Sequence, residues 1–245
     1  MMQMKPRQNF IQSNHGFTMI ELLVAMVVAL LAMGAIYSTF LNQQKSYVVQ
    51  QETAAMHQNI RAASFYMEKE IRMAGCDPTG SANAGITVSE AKVDSIRFTE
   101  DVTDGAGGDP DGDVTDPNED ITYSLDGNRN LIRTDNNGGG VGVAEDSIVA
   151  QNIDAIDFVY LDANSAVLND YTLPSPDTGN VPAGSEGQIR SVEITVVAQT
   201  GHNTLATPNN KSYSNQRTRQ IFASPGDNVS RRRLTYSIKC RNLGL

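Results

Sequence analysis

The sequence predicts an α+β protein in which a long N-terminal α-helix, transmembrane in its first half, packs on an antiparallel β-sheet head. Three observations lead there. From Phe17 to Leu41 the only charged side chain is Glu21, and these 25 residues make a helix of roughly 37 Å at about 1.5 Å each, enough to cross a ~30 Å hydrocarbon core. From Asn42 to Met73 there is no Gly or Pro, and apolar residues recur three and four apart, the spacing of one helix face. Beyond Pro78, short runs of period two alternate with Gly-, Asp- and Asn-rich turns, which is strand chemistry.

Composition narrows the classes. The 245 residues, 40% of them hydrophobic, leave room for one ordinary globular domain after the apolar helix. A net charge of -9 excludes a protein built mainly to hold nucleic acid, which needs clustered Lys and Arg.

Taken in order, residues 1–16 form a polar leader with Lys5 and Arg7 and no acid. The positive-inside tendency keeps this end cytoplasmic and sends the chain after Leu41 across the membrane. Gly16 lies before the apolar run, where an ordinary secretory signal would place its small residue after it. A cut after Gly16 removes the leader and leaves a new amine on Phe17. Glu21 lies one turn from that amine and costs about 2.5 to 3.5 kcal/mol inside a spanning segment, so it needs a partner on its own chain or a neighbour's. The helix then continues as an amphipathic half, 42–75, with Met56, Ile60, Ala63, Met67, Ile71 and Ala74 as its apolar stripe. Gly75 and Pro78 end it. The head, 76–245, reads as strands at Ile86–Val88, Ser95–Thr99, Ile121–Leu125, Asn130–Thr134, Ile148–Ala150, Ile153–Leu161, Ala166–Leu168, Ile189–Gln199 and Leu234–Cys240. Asp126-Gly127-Asn128-Arg129 is a hairpin turn. Thr103–Asp120, Asn136–Gly140 and Leu173–Gly187 are loops.

Gly16-Phe17-Thr18-Met19-Ile20-Glu21, behind a short basic leader and ahead of an apolar helix, resembles the class III signal of type IV prepilins. The resemblance implies that a membrane prepilin peptidase cleaves between Gly16 and Phe17 and methylates Phe17; on the charge argument above, Glu21 is expected to draw an incoming subunit into register by pairing with an N-terminal amine. Patches of the head, Ile71–Pro78, Ile121–Asp126, Asn130–Arg133, Phe158–Tyr160 and the ending Arg231–Leu234 with Arg241–Leu245, are similar to PilW-like minor pilins. That family implies a type IV pilin-like fold, and a minor pilin that helps initiate pilus assembly and is incorporated at or near the tip. Its partners would be other minor and major pilins and an inner-membrane assembly platform. Its location would be a single-pass inner-membrane protein with a periplasmic head, later extracellular in the pilus. A J-type pseudopilin of type II secretion, or a pilus-displayed adhesin or DNA receptor, is the alternative.

Four further features carry chemistry. Cys76 and Cys240 have no metal-ligand spacing and are candidates for a disulfide in an oxidising compartment, with two unpaired thiols as the other reading. Asp109, Asp111, Asp113, Asp116, Glu119 and Asp120 crowd one segment without Lys or Arg; they are a calcium candidate that misses the EF-hand pattern, against a solvated acidic loop. Arg231-Arg232-Arg233 with Lys239 and Arg241 reads as a docking patch rather than a DNA site. No motif of hydrolase, zinc or phosphate-loop type is found, so no enzyme and no required cofactor are expected.

Overall fold

The structure is a computed structural model that describes residues 16–169 and 179–244. The leader through His15, the loop residues 170–178 and Leu245 lie outside the described residues. The chain divides into two units, 1–48 and 49–245.

One helix, α1 (Met19–Ile71), supplies the whole described secondary structure of the first unit. All its side chains up to position 50 are exposed, although most are apolar. Among the described residues it is the one helix long and apolar enough to cross a membrane. The expected helix of 17–75 is trimmed at both ends. Thr18 caps the start, and after Ile71 the chain tightens into i to i+3 bonds, Met73 to Glu70 and Ala74 to Ile71. Gly75 then leaves the helix with φ of +78°, a conformation that favours glycine.

In the second unit, the six residues read as the apolar stripe are all buried, from Met56 at 3% exposure to Ala74 at 0%. They pack with sheet residues in one core. The strands are β1 (Ser95–Thr99), β2 (Asp120–Leu125), β3 (Leu131–Asp135), β4 (Glu145–Ala150), β5 (Ile153–Leu161), β6 (Ser191–Gln199), β7 (Ser212–Ser214), β8 (Gln220–Ala223) and β9 (Arg231–Lys239). They form three antiparallel sheets in the orders β1-β2-β3-β4, β5-β6-β9 and β7-β8. The break between the first two falls at Asn152, whose φ of +58° turns the chain out of the first sheet between β4 and β5.

The β2–β3 hairpin forms where expected. The Asp126 carboxylate accepts the backbone N–H groups of Asn128 and Asn130 at 2.8 and 2.7 Å, the local bonding that makes Asp a turn residue. Two expected strands shrink. Ile86 keeps a single bridge to Phe98 and Val167 one to Leu161, the former because Val88–Glu90 winds into a 3-10 turn. The hairpin β7–β8, of three and four residues, is too short to carry a readable alternation.

Tyr160 joins the two larger sheets, since its hydroxyl lies 3.2 and 3.1 Å from the carbonyls of Lys92 and Ser95. Two acids tie α1 to the head. Glu70 accepts from the Tyr123 hydroxyl at 2.6 Å and from Arg133 Nε at 3.0 Å. Glu52 accepts from the Gly201 N–H at 2.8 Å and contacts His202 Nδ1 at 2.8 Å.

Candidate functional site

In the first unit, Gly16, Phe17 and Thr18 precede the helix in non-helical conformation, and Phe17 is 90% exposed. A peptidase requires such an accessible link. At Thr18 the side-chain hydroxyl and the backbone N–H both donate to Glu21 Oε2, at 2.8 and 2.9 Å, while the Glu21 N–H donates to Thr18 Oγ1 at 3.3 Å. This reciprocal pair is a capping box, which satisfies donors that the first helical turn leaves open. Glu21 therefore has a partner within its own chain. Thr18 escaped the sequence reading, although Thr-x-x-Glu ahead of an apolar run is the signature of such a box.

In the second unit the acidic segment divides. Asp120 is taken by Arg97, with Nε to Oδ1 at 2.8 Å and Nη2 to Oδ2 at 2.5 Å. Glu119 is buried, and its Oε1 accepts the N–H groups of Val102 and Thr103 at 2.8 and 2.9 Å. Both are therefore engaged within the fold, Glu119 through Oε1, and Asp109 lies outside the remaining group as well. Asp111, Asp113 and Asp116 alone bring carboxylate oxygens within 4.8 Å of one another. Burial, then the charges of Asp111 and Asp113, push the Asp116 carboxyl above its usual range. Gly105, at φ +70°, lies against the Asp116 carboxylate, where a Cβ would collide. Nearby, burial and then the charge of Glu70 push Glu100 up to about 7.

Both cysteines are free thiols in the structure, the second of the two readings open from the sequence. Cys240 is buried in the core just past β9, and its burial pushes the thiol up to about 12. Cys76 is half-buried in the turn after α1, and burial followed by the charges of Glu100 and Asp101 raises its thiol too. The segments they belong to do meet: Asn242 Nδ2 donates to the Met73 carbonyl at 3.1 Å.

The basic run also divides. The Arg231 side chain is fully buried, with Nε on Asp154 Oδ2 at 2.5 Å, Nη1 and Nη2 on Asp227 at 2.5 and 2.7 Å, and its guanidinium 5.2 Å from the Phe222 ring centre. It fastens β5, β8 and β9 together and has no part in an outer patch. Arg232, Arg233, Lys239 and Arg241 stay exposed.

The family described as the prokaryotic N-terminal methylation motif matches residues 11–37. Among solved structures, a type IV-like pilin from Thermus thermophilus superposes with a TM-score of 0.50 at 11% identity, covering 77% of this chain and 98% of that one. No curated protein sequence matches the chain. The fold is that of type IV pilins, one long apolar N-terminal helix with antiparallel sheets. The chain thus carries a prepilin-type methylation motif at its start and a type IV pilin-like fold. The matched motif lies at the start of the helix that is long and apolar enough to cross a membrane.

Proposed function

We propose that the chain is a minor pilin of the PilW-like kind, which enters the inner membrane as a prepilin, loses its leader after Gly16, is methylated on Phe17, and helps other pilins begin a pilus at or near its tip. The observation that carries this reading is the exposed Gly16–Phe17 link set directly before the Thr18–Glu21 capping box and an apolar helix whose side chains have no cover within the first unit. An apolar surface of that extent demands a bilayer or neighbouring helices. The same helix carries the core stripe of the head, so cleavage leaves the head joined to its anchor. The partners are major and minor pilins, the prepilin peptidase and the inner-membrane assembly platform. The head is periplasmic before assembly.

Glu21→Val tests the assembly step. The variant should insert in the membrane and be processed, because the spanning segment becomes more apolar, yet fail to appear in sheared pili. Normal incorporation would overturn the role of Glu21. Deleting the gene should remove surface pili. Loss of protein secretion with pili intact would point to a pseudopilin, and intact pili with lost attachment or DNA uptake to a displayed receptor.

A further inference from the structure

The turn after α1, residues 83–87, the end of β1 and the last described residues of the chain border a cleft of about 810 Å³. That is within the size of pockets that hold a small ligand or a few residues of chain, roughly 300 to 1,000 Å³. One of its walls is main chain. Ile86 forms a single bridge with Phe98, in which the Thr87 N–H donates to the Arg97 carbonyl at 2.9 Å and the Thr99 N–H to the Gly85 carbonyl at 2.8 Å. In that antiparallel pattern the N–H and C=O of Ile86 itself point away from β1. Neither meets a partner among the described residues, although Ile86 is only 6% exposed. Ala84 repeats the arrangement two residues earlier. Gly85 gives its N–H to Thr99 Oγ1 at 3.0 Å, and the main-chain groups of Ala84, which alternate with those of Gly85, have no partner among the described residues either. Main-chain groups under cover are nearly always paired in a folded protein. A row of unpaired ones at period two is the template to which an extended chain adds itself.

Charge selects which chain. Among the described residues no Lys, Arg or His lines the cleft, while Asp77 and Glu186 do. The Asp77 carboxylate is occupied by the N–H groups of Gly80 and Asn83 at 2.7 and 3.0 Å. Glu186 is different, because its Oε2 is buried and has no hydrogen-bond partner. Cys76 also lines the cleft, and burial followed by the charges of Glu100, Asp101 and Asp77 pushes its thiol up, so the field there is negative beyond Glu186 alone. We infer that this cleft binds an extended peptide segment of another protein, whose main chain pairs with Ala84 and Ile86 as an added strand and whose basic side chain reaches Glu186. An ammonium or guanidinium supplies the donor that Glu186 lacks, in a charge-assisted bond. The 3-10 turn Val88–Glu90 ends the edge, so the paired stretch is short and selectivity rests on the basic residue.

The test uses the full-length chain in detergent and the blocked peptide acetyl-Val-Thr-Lys-Thr-Val-amide. Binding is followed by calorimetry, and amide hydrogen exchange by mass spectrometry of fragments that cover residues 82–88. Saturating peptide should slow exchange in those fragments by about tenfold or more and leave fragments from β4 unchanged. The same peptide with all its main-chain nitrogens methylated keeps its charge but cannot donate, and it should bind about tenfold or more weakly. Glu186→Gln should keep the wild-type circular dichroism and lose about tenfold in affinity. Exchanging Lys for Ala in the peptide should give the same loss on the wild type, which tests the charge contact without touching the fold. Glu145→Gln, on β4 and away from the cleft, should bind as the wild type does. The site is overturned by absent heat and unslowed exchange in the wild type, by equal binding of the methylated peptide, or by unchanged affinity when the Lys is exchanged. Equal loss in Glu145→Gln also overturns it, because that marks diffuse attraction to an acidic protein.

Discussion

At the scale of single residues, Arg231, Arg232 and Arg233 are identical letters with different physics. Alternation in β9 puts Arg231 and Arg233 on one face and Arg232 on the other. What separates the first two is what they meet: Arg231, opposite Gln199, lies on Asp154 and Asp227, while Arg233 reaches the Ser214 carbonyl and stays exposed. Arg231→Met should therefore leave the buried Asp154 with only Arg129, 3.4 Å from its Oδ1, and cost about 3 kcal/mol, the low end for a buried pair that loses one member. Urea unfolding measures it, and a loss below about 1 kcal/mol, the worth of an exposed pair, would contradict the buried role. Restoring part of the loss with Asp154→Asn in the same chain is the complementary result. The two cysteines differ in the same way. On reduced, folded protein at pH 8, a small alkylating reagent should label Cys76 first, while Cys240, with its thiol pushed up to about 12, reacts only on unfolding. Labelling of both at equal rates would show that the core around Cys240 is open.

At the scale of elements, α1 is held to the head by more than its apolar stripe. Glu52 sits against the loop after β6, where the hydrogen bond from His202 holds its carboxyl below the ordinary value of 4.5. A depressed carboxyl binds fewer protons in the folded chain than in the unfolded one, so its contribution is fully present above about pH 4.5 and is lost as pH falls through the folded value. The melting point of the wild type should thus fall more steeply than that of Glu52→Gln between pH 5 and pH 3. Parallel curves would remove Glu52 from the attachment of the helix. The effect is modest in size because solvent screens the pair. The Glu70 contacts at the other end of this helix half are better covered, which places the firmer attachment nearer Gly75.

At the scale of the whole molecule, what could be read from the sequence is what is local. The helix stripe, the Gly75 terminus, the Asp126 turn and the strands β5 and β6 each write their pattern within a few residues, and all are found in place. The division of the strands into three sheets is not local. It hangs on Asn152 adopting a left-handed turn, while sequence spacing alone is equally compatible with one sheet. The acidic run was legible as a cluster but not as a division of labour, because Arg97 and the backbone of Val102 and Thr103 claim Asp120 and Glu119 only once the chain has folded. Thr18 was legible and was passed over, since the single acid in the apolar segment drew the reading toward a neighbour's amine. Under the proposed processing, its box with Glu21 sets an order of events. Before the leader was removed, Oε2 would already accept from an uncharged hydroxyl and an amide on its own chain, so the precursor could wait in the bilayer without a companion. An ammonium group is a stronger claimant than either. On the proposed assembly route the acid would thus be parked first and handed over later, and a subunit that lacked Thr18 would have to find its neighbour from the moment of insertion.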